Sequence, residues 1–387
     1  MVGAARRLGS IVGIGELKPV RYSDGETTLG QIARTAKLAV DDAGISPDAI
    51  DGVLVAAQPG ETPEHAPITV AEYLGLRPHM ANVVDLGGAT GGGMVWRAAA
   101  AITAGMCETV LCVSANVRPR GGTPRAKNRN PIREFEPPVG ASGANLAYAM
   151  IAQAHMDSFG TTAEQLATVA VRSRANAQLN PSAIFHGVPL TIEDVLASPL
   201  ISAPIHRLES VMEVAGGAAF VMVSAERASR FAHAPVDLIG AGEFHTHRAL
   251  SHAPGVTGGP LRTAISKAMS AAGVRVQDLR YLSLYDCYSI VVGITLEDLG
   301  ICEPGKFGPW VLQHDFSHES DVPVNTHGGQ LGFGQAGMAG GFTHIVEAVR
   351  QLRGEAIGRQ IPNPGPTLVT GNGATLGEAT ALVLEGR

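Results

Sequence analysis

The stretch Val84-Asp85-Leu86-Gly87-Gly88-Ala89-Thr90-Gly91-Gly92-Gly93-Met94 combines the end of a strand, a glycine-rich turn and the start of an alanine-rich helix. Enzymes place a nucleophilic Cys or Ser on such a turn, because the amides at the helix N-terminus stabilise the anion of that side chain. Here the residue on the turn is Gly88, which has no side chain. The sequence therefore predicts the scaffold of a nucleophile elbow without its nucleophile, and it excludes covalent thioester chemistry from this turn.

The composition of the 387 residues indicates one large or two ordinary layered domains. With 45% hydrophobic and 17% charged residues, the chain easily fills a large core, and its 48 glycines with few aromatic residues favour an α/β fold. The net charge of −6 argues against nucleic acid as the main partner. No apolar run approaches the twenty residues that a membrane span needs, so we expect none.

The cysteines number four, too few for a disulfide framework in a chain of this length. We expect them to be reduced and mostly in the core, which predicts a cytoplasmic protein. Cys107 and Cys112 are the nearest pair, but no His or Cys companions stand beside them. The sequence therefore predicts no metal site.

Strands and helices alternate along the first half of the chain. Residues 28–43 have apolar side chains at helical spacing and precede Gly44, a good C-cap. Residues 53–57, 81–84 and 109–115 are short apolar runs typical of buried strands. This β-α-β order predicts a sheet with helices on its faces.

The second half repeats this plan. We predict a strand at residues 281–286, a strand running into a glycine-rich turn at 323–329, a helix at 341–352 and a strand at 367–370. The same succession of strand, glycine turn, helix and strand therefore occurs twice, which indicates an internal duplication.

Several short motifs resemble those of the thiolase superfamily in their order and spacing over essentially the whole chain. They are Glu213-Val214-Ala215-Gly216-Gly217-Ala218-Ala219, Asn325-Thr326-His327-Gly328-Gly329 and Gly371-Asn372-Gly373. Tyr285-Asp286-Cys287-Tyr288-Ser289 is most similar to the His-Asp-Cys-Phe motif of the sterol-carrier-type, lipid-transfer-protein-like branch.

The resemblance implies an α/β thiolase fold, in which two duplicated βαβαβ-type halves form a layered α-β-α-β-α core with an inserted loop domain. The N-terminal half would span residues 1–240, including a loop domain at about 116–200, and the C-terminal half residues 241–387. The resemblance also implies a homodimer.

The catalytic positions of a thiolase are replaced. The matched positions of its nucleophilic Cys, its His and its second Cys are Gly88, Gln335 and Gly371. Claisen condensation needs an acyl-enzyme and a thiolate base. These three residues supply neither, so the thiolase mechanism is lost.

The steroid side-chain aldolases resemble this chain in keeping the fold without the cysteines. That resemblance implies retro-aldol cleavage of a bulky β-hydroxyacyl-CoA to a ketone or aldehyde and a shorter acyl-CoA. Such a cleavage needs a base, an acid and an oxyanion hole, but no nucleophile. We expect the missing side chain at Gly88 to make room for a branched β-carbon. We also expect backbone amides of the Gly88 turn and of Gly371, Asn372 and Gly373 to bind the thioester oxygen.

Tyr285 is the principal catalytic candidate, because the resemblance implies that a tyrosine here acts on the substrate hydroxyl. The alternative is a strand-end tyrosine bonded to a backbone carbonyl. A phenol is a poor base at its usual pKa of about 10, so it would need help from a neighbour. We interpret Asp286 as a structural hydrogen-bond acceptor rather than a base, and Tyr288 as a replacement for a packing Phe that has a smaller chance of touching substrate.

His327 is the second candidate, because a side chain on a glycine-rich turn can project into a cleft and histidine titrates near neutral pH. The alternative is a solvated or structural histidine. The aldolases carry a second tyrosine shortly after the Gly-Gly pair, and residues 337–341 contain none. We therefore expect His327 or Gln335 to deliver the second proton; otherwise the activity differs.

The expected partners also follow from the resemblance. No cofactor is expected beyond the coenzyme A of the substrate, and a small subunit with a zinc ribbon and an OB-like domain would complete a heterotetramer. A basic stretch either contacts the phosphates of coenzyme A or is merely solvated; it comprises Arg118, Arg120, Arg125, Lys127 and Arg129.

Two other functions stay open. One is a non-catalytic thiolase-like subunit that binds acyl-CoA or lipid. The other is a thiolase or acyltransferase with an unrecognised nucleophile, for which Cys287 is the only cysteine near a motif.

Overall fold

A computed structural model describes residues 7–57, 63–121, 138, 140 and 143–387. Arg125, Lys127 and Arg129 of the basic stretch lie outside the described residues. The strands are β1 Gly9–Glu16, β2 Gly52–Ala56, β3 Met80–Val84, β4 Thr109–Asn116, β5 Leu200–Ser202, β6 Ile205–His206, β7 Gly216–Val223, β8 Val236–His245, β9 Tyr281–Ser283, β10 Thr367–Gly373 and β11 Glu378–Gly386. The α-helices are α1 Thr28–Ala43, α2 Ala66–Tyr73, α3 Thr90–Thr103, α4 Gly143–Phe159, α5 Ala163–Ala177, α6 Ile192–Ala197, α7 Leu261–Ala272, α8 Ser289–Leu299, α9 Phe307–Gln313, α10 Gly329–Phe333 and α11 Gly340–Arg353.

One mixed nine-stranded sheet forms the framework, in the order β3-β2-β4-β7-β1-β8-β11-β10-β9. Strand β2 is parallel to β3 and β4, and β9 is parallel to β10. The remaining pairs are antiparallel, including β1 with β8. The two halves of the chain therefore meet at the β1–β8 pair.

The two halves have the same topology, which confirms the duplication. In the first half the order is β3-β2-β4-β7-β1, and in the second it is β9-β10-β11-β8. The position that corresponds to β3 is taken by a single parallel bridge between Val324 and Leu282. The strand predicted around residue 324 is thus reduced to one bridge, and the strand predicted to reach residue 286 ends at Ser283.

The layers run α-β-α-β-α, as predicted. Helix α1 covers the first half of the sheet, α7 covers β8 and β11, and α3 and α11 pack against each other between the two halves. Glycines on β1 and β8 bring each outer helix close to its strand. A Cβ at Gly13 would overlap the carbonyl of Ala39 in α1, and a Cβ at Gly240 would overlap that of Ala268 in α7.

Helix α8 is buried along its whole length. This burial explains why its hydrophobic residues are not confined to one side of the helix. Its Glu297 is bonded to His155 of α4, with His155 Nε2 3.3 Å from Glu297 Oε2. This buried pair fastens α4 to the core. Within the ranges given above, no helix is both long and apolar enough to cross a membrane.

Candidate active site

The turn after β3 is held by its own hydrogen bonds. The Leu86 amide donates to Thr90 Oγ1 at 3.0 Å, and that hydroxyl donates to the Gly87 carbonyl at 2.6 Å. The Ala89 amide donates to the Leu86 carbonyl at 3.0 Å, and Gly87 adopts a φ of +53° that favours glycine. Thr90 thus closes the turn and begins α3, so Gly88 lies at the helix N-terminus.

Tyr285 fills the space above Gly88. A Cβ placed on Gly88 would overlap Oη and Cζ of Tyr285 and the carbonyl oxygen of Asn372. The expectation that the missing side chain leaves room for a branched substrate carbon is therefore wrong, because the phenol occupies that room. The turn carries a hydroxyl after all, supplied by the other half of the chain.

The phenol of Tyr285 is buried and contacts an amide. Its Oη accepts a hydrogen bond from Gln335 Nε2 at 3.0 Å, and its backbone N–H donates to Thr370 Oγ1 at 3.1 Å. The recorded partner is thus a side-chain amide and not the backbone carbonyl of the alternative interpretation. Burial raises the pKa of Tyr285 well above its ordinary value, with nearby Cys287 and Asp286 adding to the effect. The phenol is therefore neutral in the resting protein.

A chain of hydrogen-bonded polar groups, buried except for the partly exposed Gln335, continues from Tyr285. It is here called the polar relay and comprises Tyr285, Gln335, Gln330, His344 and Asp286. Gln335 Nε2 also donates to Gln330 Oε1 at 3.0 Å. Gln330 Nε2 lies 3.3 Å from His344 Nε2, which lies 3.1 Å from Asp286 Oδ1. The relay therefore connects Asp286 to the phenol through three side chains.

Asp286 caps the short helix α10. Its carboxylate accepts from the backbone amides of Gln330 at 2.7 Å and Leu331 at 3.3 Å. Burial raises the pKa of Asp286, and the contact with His344 opposes that rise. These bonds fit the predicted role of Asp286 as a structural hydrogen-bond acceptor. That Asp286 does not act as a base in catalysis stays a prediction.

Gln330 and His344 were missed by the sequence analysis. Both side chains are fully buried. A signal was available for His344, because a histidine stands in the apolar run of residues 340–349, all of which are buried. Gln330 carried no such signal, since a glutamine after a Gly-Gly pair is equally compatible with a solvated turn.

His327 does not project into a cleft, contrary to expectation. Its side chain is 1% exposed, and neither ring nitrogen has a hydrogen-bond partner in the structure. The ring packs edge-on against His344, with centroids 5.1 Å apart, and tilted against Phe333. Burial, with His344 nearby, lowers the pKa of His327 well below its ordinary value. His327 is therefore a neutral ring that packs against the polar relay, whereas Gln335 touches Tyr285 directly.

Gly371, Asn372 and Gly373 form the end of β10, beside the Gly88 turn. The side chain of Asn372 is already engaged: Nδ2 donates to Tyr148 Oη at 2.8 Å, and Oδ1 accepts from the Leu376 amide at 3.1 Å. These bonds tie the end of β10 to α4 and to the residues that follow β10. That backbone amides from both bind a thioester oxygen stays a prediction.

Two tyrosines from different elements stack on each other. Tyr148 of α4, which the sequence analysis did not single out, stacks on Tyr288 with ring centroids 4.4 Å apart. Tyr288 Oη donates to Asn145 Oδ1 at 2.5 Å. Between Tyr285 and Tyr288 in the chain, Cys287 is buried, and burial raises the pKa of its thiol to about 12. A thiol so rarely ionised is a poor nucleophile.

Part of the basic stretch is described. Arg118 and Arg120 lie over the ring of Tyr22, at 5.0 and 4.8 Å from its centroid, and Arg120 Nε bonds Asp24 Oδ2 at 2.8 Å. This surface is therefore only partly neutralised. Among the described ranges, no group of three or more His, Cys, Asp or Glu side chains is arranged to hold a metal ion.

Comparison with known proteins gives consistent relationships. Residues 242–386 match the thiolase C-terminal domain-like family. The chain is 31% identical to the steroid side-chain-cleaving aldolase of Thermomonospora curvata, over 90% of this chain and 91% of that protein. It is 30% identical to the 17-hydroxy-3-oxo-4-pregnene-20-carboxyl-CoA lyase of Mycobacterium tuberculosis, over 90% and 92% of the two chains. The solved Ltp2-ChsH2(DUF35) aldolase superposes with a TM-score of 0.89 at 29% identity, covering 99% of both chains.

Proposed function

The chain belongs to the thiolase superfamily, among the steroid side-chain-cleaving aldolases, and on this basis we propose that it cleaves a carbon–carbon bond of a bulky β-hydroxyacyl-CoA by a retro-aldol reaction. The products are a ketone or aldehyde and a shorter acyl-CoA. The observation that carries the proposal is the phenol of Tyr285, which stands on the Gly88 turn in place of a nucleophilic side chain.

The absence of the catalytic side chains of a thiolase argues against acyl transfer. An acyl-enzyme needs a nucleophilic thiol or hydroxyl at the turn. The Thr90 hydroxyl is already bonded within the turn, and the other side chains there are the phenol and amides. Cys287 is the nearest cysteine in the motif, and its pKa of about 12 keeps it protonated. Retro-aldol cleavage, which needs proton transfers but no covalent intermediate, suits this set of groups.

We assign the β-hydroxyl of the substrate to Tyr285. In the cleavage, the proton leaves that hydroxyl, the oxygen becomes a carbonyl, and the electrons of the broken carbon–carbon bond form the enolate of the shorter acyl-CoA, which then takes up a proton. Because the buried phenol is neutral at rest, it can take the hydroxyl proton only as it gives up its own. The enolate of the shorter acyl-CoA is the group that takes up that phenolic proton, so the step balances. Gln335, bonded to Tyr285 Oη, is the residue in place to orient the phenol.

The enolate oxygen would lie near the Gly88 turn. Backbone amides at the N-terminus of α3 favour negative charge there, and the end of β10 is close enough to contribute. We propose that amides of the Gly88 turn and of Gly371, Asn372 and Gly373 bind the thioester oxygen as charge develops on it.

The assembly is also a proposal. We propose a homodimer that joins a small zinc-ribbon and OB-fold subunit, supported by the two components named in the similar Ltp2-ChsH2(DUF35) aldolase. Coenzyme A enters as part of the substrate, with Arg118 and Arg120 available to its phosphates. No separate cofactor is needed for a retro-aldol step.

The experiment is to co-express this chain with a candidate small subunit and incubate the complex with a steroid side-chain β-hydroxyacyl-CoA. Mass spectrometry should detect a shorter acyl-CoA, and Tyr285→Phe should abolish its release. Tyr73→Phe, a change at a tyrosine exposed on α2, is the control that should not affect it. Tight acyl-CoA binding without cleavage would overturn the proposal in favour of a non-catalytic binding subunit.

A further inference from the structure

Four of the five members of the polar relay are closed off from water. The side chains of Asp286, Gln330 and His344 are fully buried and Tyr285 is 5% exposed, whereas Gln335 is partly buried. Hydrogen bonds in such an interior must be satisfied by protein groups, because an unpaired donor or acceptor is costly there. Within the relay, the choice of donor in one hydrogen bond therefore determines the donor in the next.

Ser283 determines which nitrogen of His344 holds a proton. The hydroxyl of Ser283 donates to the backbone carbonyl of His344 at 3.0 Å, so its lone pair faces His344 Nδ1, 3.2 Å away. Nδ1 must then be the donor in that contact. The other nitrogen, Nε2, is the one left to gain or lose a proton.

Two neighbours of opposite character face His344 Nε2. One is Asp286 Oδ1 at 3.1 Å, which is an acceptor when ionised; the other is the amide nitrogen of Gln330 at 3.3 Å, which is a donor. In one state, His344 Nε2 carries no proton and accepts a hydrogen bond from the Gln330 amide, while Asp286 is protonated. When that proton moves from the Asp286 oxygen to Nε2, the O–H bond breaks, an N–H bond forms, and no outside reactant is needed.

The second state cannot leave Gln330 as it is. A protonated Nε2 and an amide N–H would both be donors at the same contact, so the Gln330 amide must turn over and present its oxygen. The two ends of an amide have nearly the same size, and the exchange therefore leaves the packing unchanged.

The reversal of the Gln330 amide is transmitted to Tyr285 through Gln335. Gln335 Nε2 contacts both Gln330 Oε1 and Tyr285 Oη at 3.0 Å, so reversal of Gln330 requires reversal of Gln335. Before the reversal, the phenol accepts from Gln335 and its own O–H is free to donate to the substrate. After it, the phenol donates to Gln335 Oε1, and its free lone pairs can accept a hydrogen bond from the substrate hydroxyl.

We propose that His344 is a positioning residue. Its Nε2 proton, exchanged with Asp286, sets the direction of the hydrogen bonds along the polar relay. That direction decides whether Tyr285 donates a hydrogen bond to the substrate or accepts one from it. This inference rests on the proposed role of Tyr285 at the β-hydroxyl. It assigns a use to a buried Asp–His pair that the cleavage chemistry does not itself touch.

The test compares His344→Gln with His155→Gln. The glutamine at 344 keeps hydrogen-bonding capacity but cannot hold an exchangeable proton at the Nε2 position. His155 is a matched control, because it is also fully buried and paired with a carboxylate, that of Glu297, yet lies on α4 outside the relay. Both variants should fold, as checked by circular dichroism; if His344→Gln does not, His344→Asn replaces it.

We expect His344→Gln to lower kcat roughly 10- to 100-fold, the range seen when a partner that orients a catalytic group is removed, with little change in KM. His155→Gln should keep the wild-type kcat. Ultraviolet resonance Raman difference spectra against Tyr285→Phe should show that the Tyr285 doublet, which reports donor or acceptor status, changes in His344→Gln and not in His155→Gln. Wild-type kcat in His344→Gln, or an unchanged doublet, would overturn the inference.

Labelling with ¹⁵N-histidine separates this inference from the proposed function, because it needs no substrate. The signals lost in His344→Gln identify the ring, and we expect its Nδ1 to be protonated in the resting protein. A bare Nδ1 contradicts the relay even if cleavage is observed. If the wild-type protein cleaves no substrate, the proposed function fails, while the ¹⁵N and Raman results still decide the state of the relay.

Discussion

The phenol of Tyr285 lies where a side chain of residue 88 would begin, so that a Cβ on Gly88 would overlap its Oη and Cζ atoms. The two positions belong to different halves of the duplicated fold and are alternatives for the same space. A nucleophile at residue 88 excludes this placement of Tyr285, and the glycine admits it. A side chain at residue 88 and the phenol of Tyr285 in its observed place therefore exclude each other.

This relationship predicts a strong interaction between the two positions. Gly88→Ala should destabilise the protein by about 1–3 kcal/mol, the usual cost of overpacking a core, and displace the phenol. In the background of Tyr285→Ala, the same change at Gly88 should cost less, because only the overlap with the Asn372 carbonyl oxygen remains. Denaturant unfolding of the two single variants and the double variant measures the coupling energy, and additivity would show that the two side chains do not compete.

Gln335→Leu tests the contact that orients the phenol. The substitution removes the donor to Tyr285 Oη and leaves Gln330 Oε1 without its partner, which should cost about 1–3 kcal/mol of stability. We expect kcat for acyl-CoA release to fall while KM changes little. Gln313→Leu, at the end of α9 and away from the site, is the control for a simple loss of an amide. Unaltered kcat in Gln335→Leu would remove this residue from the mechanism.

His327→Leu should stabilise the protein at acidic pH. The folded-state pKa of His327 is held well below its ordinary value by burial, so below about pH 6.5 the unfolded chain binds a proton that the folded protein does not. Stability then falls by about 1.4 kcal/mol per pH unit as the pH drops from there toward the folded pKa. Unfolding curves at pH 7.5 and 5.5 should show a smaller difference in the variant than in the wild type.

The same variant also tests catalysis. His327 has no recorded hydrogen bond and does not reach Tyr285 except through His344. We therefore expect kcat of His327→Leu to stay near the wild-type value. A large loss of kcat in a variant that is correctly folded would restore His327 as the group that delivers a proton.

Cys287 should be unreactive in the native protein. With a thiol pKa of about 12 and a buried side chain, it should escape alkylation by iodoacetamide at pH 8 and react after unfolding. Cys287→Ser should retain acyl-CoA cleavage. Peptide mass spectrometry measures the labelling, and trapping of Cys287 by an acyl-CoA analogue would instead support an acyltransferase.

Much of the architecture was predictable because it depends on local patterns. The helix predicted at residues 28–43 has those bounds in the structure, since its apolar spacing and the glycine after it are both local signals. The duplication was visible in the repeated order of elements. The strands β8 and β11, by contrast, were not predicted, and the strand expected around residue 324 is only a bridge, because pairing partners far along the chain determine how long a strand is.

The absence of the thiolase nucleophile could be read directly from Gly88, since a missing side chain is a property of one position. What fills its place could not, because Tyr285 reaches Gly88 only when the two halves meet at the β1–β8 pair and α3 packs against α11 between them. The relay through Gln330 and His344 has the same origin. The bonds that join Gln330 to His344, 14 positions apart, and Tyr285 to Gln335, 50 positions apart, depend on helix packing, which no local pattern encodes.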